Sequence, residues 1–173
     1  VTGIEPNEGA KNVALKKNIN FADYIESLEN NSFDVITMWH VLEHVPNLEE
    51  QISQLKRVLK PNGTLLIAVP NFNSFDAKYY KQYWASFDVP RHLWHFSKNA
   101  IHQLFEPQKM KVVKILPMKW DAFYVSLLSE KYQNGYMNFI KAFYIGLKSN
   151  WKAKQNLEYS SLIYIIKNDE KLK

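Results

Sequence analysis

The stretch that decides the fold is FDVITMWHVLEHV, residues 33–45, followed by LKRVLKPNGTLLIAVPN, residues 55–71. Each contains a short apolar run, Phe33–Met38 and Thr64–Val69, that is typical of a buried strand. Between them, Leu48–Leu59 has apolar residues at helical spacing, with Asn47 as its predicted N-cap and the Pro61–Gly63 turn as its stop. This order predicts two parallel strands joined by a crossover helix.

The same alternation of strands and helices extends to both sides of this unit. Shorter patterns predict further strands at Val1–Glu5, Ile19–Phe21, Met110–Leu116 and Tyr159–Lys167. Further helices are predicted from Asn7 to Lys17 and from Ser97 to Glu106. Residues 71–96 are predicted to be irregular and are rich in aromatic side chains, and residues 121–149 are predicted to be largely helical. We therefore predict a three-layer α/β fold with right-handed crossovers, in a single domain over residues 1–173.

Composition excludes several classes of protein. The 173 residues are 46% hydrophobic and 23% charged, which is typical of a globular domain. Cysteine is absent, which excludes disulfides, a thiol nucleophile and a cysteine-based zinc site, and fits a cytoplasmic location. The net charge of +5 is modest and spread along the chain, so we expect no nucleic-acid partner. The five glycines are too scattered to form a loop that cradles a phosphate or cofactor.

Ligands of parallel α/β sheets bind beyond the carboxyl ends of the strands, and two motifs lie there. Glu5 ends the first strand, where a carboxylate either holds two vicinal hydroxyls or favours the following helix dipole. His40, Glu43 and His44 follow the second predicted strand with the H-x-x-E-H spacing of a zinc hydrolase. That chemistry requires a helix through the motif, and the pattern predicts none.

These two stretches, together with DVPRHLWHFS at residues 88–97, resemble class I S-adenosylmethionine-dependent methyltransferases. The similarity is to the Methyltransf_23 branch, near the quinone-biosynthesis methyltransferases, and runs from Val1 to about Ile115. It implies a Rossmann-like, mostly parallel sheet with an antiparallel last strand, and methyl transfer from S-adenosylmethionine, with S-adenosylhomocysteine as product. The family's first strand and glycine-rich turn precede Glu5 and are missing from this chain, so we expect an incomplete enzyme.

The resemblance also implies roles for individual residues. Its implied acceptor is a small molecule or lipid-like, methylated by in-line attack on oxygen, nitrogen or carbon, and no metal is expected. The implied cofactor residues are Glu5 for the ribose, Asp23 for the adenine, and Met38, Trp39 and His40 for the methionine part. Histidine is the natural base near neutral pH, and the candidates are His44, His92 and His95. The predicted substrate residues are Asn71, Tyr83, Trp84 and Arg91. The two aromatic side chains either cover the substrate pocket or pack in the core. Arg91 binds either an anionic group of the substrate or Asp88.

Residues 117–157 form a predicted helical insertion before the last strand. Their wide apolar face predicts packing onto the domain or onto a partner subunit, as in a homodimer. The alternative is contact with a membrane that holds a lipid-like substrate. The main alternative to catalysis is a non-catalytic binding module with the same fold. A zinc hydrolase that uses His40, Glu43 and His44 is a second, weaker alternative.

Overall fold

A computed structural model describes residues 1–17 and 19–169. The helices are α1 (Glu8–Leu15), α2 (Leu48–Val58), α3 (Phe75–Tyr80), α4 (Lys98–Phe105), α5 (Asp121–Asn134) and α6 (Phe139–Asn156). The strands are β1 (Thr2–Gly3), β2 (Asn20–Phe21), β3 (Phe33–Trp39), β4 (Leu59–Pro70), β5 (Met110–Met118) and β6 (Ser161–Asn168). All the predicted strands are present, with boundaries shifted by a few residues.

The main sheet has the order β3-β4-β6-β5. Strand β3 is parallel to β4, whereas β6 is antiparallel to both of its neighbours, as predicted for the last strand. Strands β1 and β2 form a separate parallel pair. Within residues 1–17 and 19–169, β3 pairs with β4 alone, and the side chains of Val35 and Trp39 on β3 are about half exposed. One edge and one face of β3 are therefore open.

The predicted end of α2 at Leu59 is confirmed to within one residue, but Pro61–Gly63 belong to a strand and do not form the predicted turn. Helix α2 ends at Val58, and β4 begins at the next residue and continues through these three positions. The register moves from Phe33 opposite Leu59 to Val35 opposite Thr64, so the extra residues of β4 are accommodated in an irregularity at the start of the strand. A Cβ atom on Gly63 would lie 2.6 Å from Cδ1 of Leu59, so any larger residue at position 63 would force the Leu59 side chain to move.

Side-chain caps define where the helices begin. The side-chain oxygens of Asn7, Asn47 and Ser97 accept hydrogen bonds from backbone N–H groups three residues ahead, as their positions in the sequence predict. The segment 71–96, predicted to be irregular, contains α3, which begins after the cap Ser74. The insertion is a pair of helices, α5 and α6, separated at Gly135, which has a φ of 81°. No helix among the described residues is long and apolar enough to cross a membrane.

Two apolar clusters form the core. The larger one packs α2 and α4 against the main sheet, through residues such as Ile52, Ile101, Ile67 and Tyr164. The smaller one joins α3, α5 and α6, with Trp84 and Tyr80 fully buried at its centre. The insertion thus shares a core with the segment that follows β4.

A buried carboxylate links these elements. Asp76 on α3 is fully buried and accepts three hydrogen bonds: from Trp84 Nε1 at 2.8 Å, Ser149 Oγ at 2.6 Å and Ser160 Oγ at 2.7 Å. The donors come from the loop after α3, from α6 and from the approach to β6. Charge-assisted hydrogen bonds of this kind are stronger than neutral ones and fix the relative positions of their donors.

Replacing Asp76 by alanine is expected to lower the free energy of unfolding by about 3 kcal/mol or more, because it leaves three buried donors unpaired. Chemical denaturation measures this value. Asp34→Ala is the matched control, since it removes a surface carboxylate paired with Lys60 at 2.8 Å and should cost less than about 1 kcal/mol. Equal losses in the two variants would contradict the role given to Asp76.

Candidate functional site

Polar groups gather where β3 ends. The turn at residues 40–45 contains a short 3₁₀ helix, Leu42–His44, and is bound to the loop at 88–95. The backbone N–H of Leu93 donates to the carbonyl oxygen of Glu43 at 2.8 Å, and Trp94 Nε1 donates to that of Val45 at 2.7 Å. His44 Nδ1 lies 2.9 Å from the carbonyl oxygen of Arg91. The turn and the loop therefore form one unit at the carboxyl edge of the sheet.

His40 is held between two carboxylates. Its Nδ1 lies 3.2 Å from Glu43 Oε1, and its Nε2 lies 3.1 Å from Oδ2 of Asp121, the first residue of α5. Hydrogen bonds to Asp121 and then Glu43 raise the pKa of His40 to about 9, against the opposing effect of burial. The imidazole is therefore protonated at neutral pH. Its backbone adopts a left-handed φ of 52°, which turns the chain sharply out of β3.

Glu43 lies beside two histidines, of which His44 is exposed and His92 is partly buried. Glu43 is fully buried, and its Oε2 has no hydrogen-bond partner among the residues described. The rings of His44 and His92 meet edge to face, with centroids 4.7 Å apart. His92 Nδ1 lies 2.8 Å from the carbonyl oxygen of Ser86. Because a carbonyl oxygen only accepts hydrogen bonds, both histidines carry a proton on Nδ1, and in the neutral ring Nε2 is then the acceptor.

One group within residues 1–17 and 19–169 has the spacing to hold a metal ion. Glu43, His44 and His92 each offer one ligand atom, and these atoms lie within 4.8 Å of one another. The zinc interpretation through His40 is wrong, because both nitrogens of that ring face carboxylates and no α-helix runs through the motif. In the structure, the second histidine of the possible metal site is therefore His92 and not His40, which the H-x-x-E-H spacing had predicted.

The predicted cofactor residues lie on two separate sheets. Glu5, partly exposed after β1, accepts a hydrogen bond from the Asn7 N–H at 2.8 Å. Asp23 is exposed and forms an ion pair with Lys11 at 3.3 Å. Met38 is buried at the end of β3, and Trp39 beside it is half exposed. The sequence thus brings Met38, Trp39 and His40 together at the site, whereas no described hydrogen bond or ion pair joins Glu5 or Asp23 to them.

Two of the predicted substrate residues are structural. Asn71 is buried and donates from Nδ2 to Glu158 Oε2 at 2.7 Å and to the carbonyl oxygen of Tyr159 at 3.1 Å. Trp84 is buried in the smaller core with its Nε1 on Asp76, so it takes the packing role left open by the sequence. Neither side chain reaches solvent in this structure, so their predicted role in substrate binding stays a prediction.

The remaining candidates lie at the surface. Arg91 donates to Asp88 Oδ1 at 2.8 Å, which is one of the two predicted pairings. Tyr83 is partly exposed. His95 is exposed, with its Nε2 3.0 Å from the carbonyl oxygen of Phe87 and its ring against the Phe87 ring. Sequence reasoning did not single out Asp121, because nothing local connects it to a histidine 81 residues away.

Comparison with known proteins identifies the family. Residues 1–115 match the model of the Methyltransf_23 family, a methyltransferase domain. The chain belongs to this family. The match ends within β5, so the α5–α6 insertion of this methyltransferase domain lies outside it. The resemblance seen in the sequence is confirmed over the range predicted for it.

Curated relatives match over shorter segments. A ubiquinone biosynthesis O-methyltransferase of Pasteurella multocida is 42% identical over 48 residues, which are 28% of this chain and 20% of that protein. The enzyme of the same name from Coxiella burnetii is 33% identical over 82 residues, 42% of this chain and 35% of that protein. The matched part of this chain thus spans about a third or less of the length of these relatives.

Solved structures match over nearly the whole chain. A SAM-dependent methyltransferase from Thermotoga maritima gives a TM-score of 0.62 at 18% identity and covers 98% of this chain and 72% of that one. The phosphoethanolamine N-methyltransferase 2 of Haemonchus contortus, solved with S-adenosyl-L-methionine, gives 0.60 at 19% identity and covers 98% and 43%. Likeness at such identity establishes the fold, and the predicted Rossmann-like α/β class is confirmed.

The charge on His40 should make the stability of the domain depend on pH. Because the pKa is raised to about 9 from an unfolded value near 6.5, the stabilisation is fully present below about pH 6.5 and is lost as the pH rises through about 9. The difference in free energy of unfolding between the wild type and His40→Gln should therefore shrink from about pH 6 to about pH 9.

Urea denaturation at several pH values measures this difference. Asp121→Asn retains the ring but removes the partner with the largest effect, so its own pH dependence should be weaker than that of the wild type. A difference between wild type and His40→Gln that is constant or grows with pH would contradict a protonated His40.

Proposed function

We propose that this chain carries the catalytic site of an S-adenosylmethionine-dependent methyltransferase that methylates an oxygen atom of a small, lipid-like acceptor. The observation that carries the proposal is the pair His44 and His92 at the carboxyl end of β3, in a chain of the methyltransferase family. The choice of oxygen follows the O-methyltransferase relatives, and a lipid-like acceptor follows their role in ubiquinone biosynthesis.

The residues present suit the proposed cofactor in two places. Glu5 uses one carboxylate oxygen to hold the Asn7 N–H, which orients the second oxygen for the hydroxyls of a ribose. The half-exposed ring of Trp39 offers an apolar surface beside His40. When bound, S-adenosylmethionine supplies a methyl group on a sulfonium, an electrophile that the protein itself does not need to activate.

We assign the general base to His44. Its Nδ1 is held by the Arg91 carbonyl, which orients the ring and leaves Nε2 as the proton acceptor of the neutral imidazole. Nε2 would accept the proton of an acceptor hydroxyl, and the oxygen would receive the methyl group that S-adenosylmethionine would supply, with S-adenosylhomocysteine as the leaving group. His92 is the positioning residue: its ring packs against that of His44, and its own Nε2 lies 4.0 Å from Glu43 Oε1.

The protonated His40 has a separate role. Its charge is balanced by Glu43 and Asp121, so it contributes a rigid link between the turn and α5 rather than a site for proton transfer. The link ties the residues that follow β3 to the insertion, whose helices we expect to border the acceptor.

We further propose that another strand covers the open edge of β3 in the active protein. The backbone of β3 is unpaired on one side among the described residues, and its side chains Val35 and Trp39 are half exposed. Exposed apolar edges of this kind pair readily with other strands. Hydrogen exchange of β3 amides tests this: in the active protein, the amides that face the open edge should be protected. Exchange of these amides as fast as that of unpaired residues would contradict a covering strand.

The base assignment predicts a selective loss of turnover. With methyl-labelled S-adenosylmethionine and a 4-alkyl catechol as probe acceptor, His44→Gln should lower kcat by about 100-fold or more, since a positioned base contributes that much. Its effect on the KM for S-adenosylmethionine should be small. His95→Gln is the matched control, because His95 lies on the same loop as His92 but bonds only to the Phe87 carbonyl, and it should retain activity.

Measured dependence on pH separates a base from a structural histidine. The wild type should gain turnover as the base deprotonates, and His44→Gln should lose that limb of the profile. A His44→Gln variant with wild-type kcat and an unchanged profile would contradict the assignment, and no labelled product with any phenol would contradict the proposed acceptor class.

A further inference from the structure

Helix α6 presents its large apolar side chains to solvent. Ile140, Phe143, Tyr144, Leu147 and Trp151 recur at helical spacing along one side of the helix, and each is between 47% and 87% exposed. We call these five residues the outer stripe. The buried side of α6 carries mainly small residues: Ala142, Ile145, Gly146, Ser149 and Ala153. This arrangement is the reverse of an ordinary surface helix, whose large apolar residues face the core.

Contacts on the buried side hold α6 in this orientation. A Cβ atom on Gly146 would lie 2.7 Å from Cδ1 of Phe123 on α5, so the two helices approach closely there. Ser149 Oγ donates to the buried Asp76 at 2.6 Å. Turning the outer stripe inward would break both contacts and place bulky rings where only small residues fit. The outer stripe is therefore a fixed feature of the surface and does not pack onto the domain, which leaves a partner subunit or a membrane as its predicted contact.

Aromatic rings extend this surface onto α5. The ring of Phe143 lies 5.3 Å from that of Phe123, which in turn lies 5.8 Å from the largely exposed Trp120. Trp and Tyr side chains have an apolar body and a polar tip, which suits the boundary between lipid headgroups and acyl chains. The outer stripe contains one of each, Trp151 and Tyr144.

The charge of α6 has a single sign. The helix contains four lysines and no acidic residue. Lys148 Nζ lies over the rings of Phe75 and Tyr144, and Lys152 Nζ lies 4.5 Å from the centroid of the Phe75 ring. Among the described residues, Lys148, Lys152 and Lys154 form no ion pair with a carboxylate; only Lys141 does, with Glu130. Positive charge thus lies beside the outer stripe without internal compensation.

We propose that α6 lies flat on an anionic lipid surface, with the outer stripe inserted at the headgroup boundary and Lys148, Lys152 and Lys154 facing lipid phosphates. An apolar stripe bordered by lysines is the pattern by which amphipathic helices bind such surfaces. A second copy of the chain is the less suitable occupant. A two-fold contact through the outer stripe would bring the two α6 helices together, and neither has an acidic residue to offset the repulsion.

Flotation of the protein with lipid vesicles tests the proposal, with neither cofactor nor acceptor present, so the result is independent of the proposed methyl transfer. At about 0.1 M salt, the wild type should float with vesicles of equal parts phosphatidylcholine and phosphatidylglycerol, and much less with phosphatidylcholine alone. Ile140→Gln with Leu147→Gln and Trp151→Gln should weaken binding roughly tenfold or more. Lys148→Gln with Lys152→Gln and Lys154→Gln should also weaken it roughly tenfold or more and remove most of its dependence on salt.

Matched controls lie on α1, away from the insertion. Val13→Gln with Leu15→Gln changes exposed apolar residues of another helix, and Lys16→Gln with Lys17→Gln changes lysines at its end; both should bind vesicles like the wild type. Circular dichroism checks that each variant is folded. A wild type that stays at the bottom with anionic vesicles would overturn the proposal. So would equal flotation of the outer-stripe variant, or a dimer in sedimentation velocity that this variant abolishes.

Discussion

The parallel pairing of β3 with β4 positions the turn that contains His40, Glu43 and His44. It aligns the carboxyl ends of the two strands, so the turn at 40–45 and the segment that follows Pro70 leave the sheet at the same edge. The other edge of β4 pairs with β6, which brings Tyr159 and Ser160 to Asn71 and Asp76. The turn at 40–45 and the smaller core are both positioned by the two neighbours of β4.

Two buried carboxylates serve different purposes on this framework. Asp76 has three donors and holds α3, α6 and Trp84 in place, so its charge is used for structure. Glu43 is equally buried, yet its Oε2 has no partner among the described residues, and its Oε1 faces His40 and His92. A buried carboxylate oxygen without a donor is unfavourable in a purely structural role. Its position beside two histidines supports a functional role for the turn at 40–45.

The features predictable from the sequence are those set by local chemistry. The apolar runs of β3 and β4, the spacing in α2 and the capping residues Asn47 and Ser97 depend on neighbours within one turn or strand, and all of them appear in the structure. Contacts between distant segments were not predictable. Nothing near His40 indicates Asp121, and the apolar composition of α6 does not reveal that small residues face inward, because that choice depends on Phe123 and Asp76.

The central claim is that this domain binds S-adenosylmethionine at the carboxyl edge of its sheet, and calorimetric titration with S-adenosylhomocysteine tests it most directly. We predict one site per chain. We also predict affinity about tenfold or more weaker for Glu5→Ala, which loses the carboxylate that receives the ribose hydroxyls. Asp34→Ala, a surface change on β3, should bind like the wild type. No binding by the wild type, or an unchanged affinity in Glu5→Ala, would contradict the account.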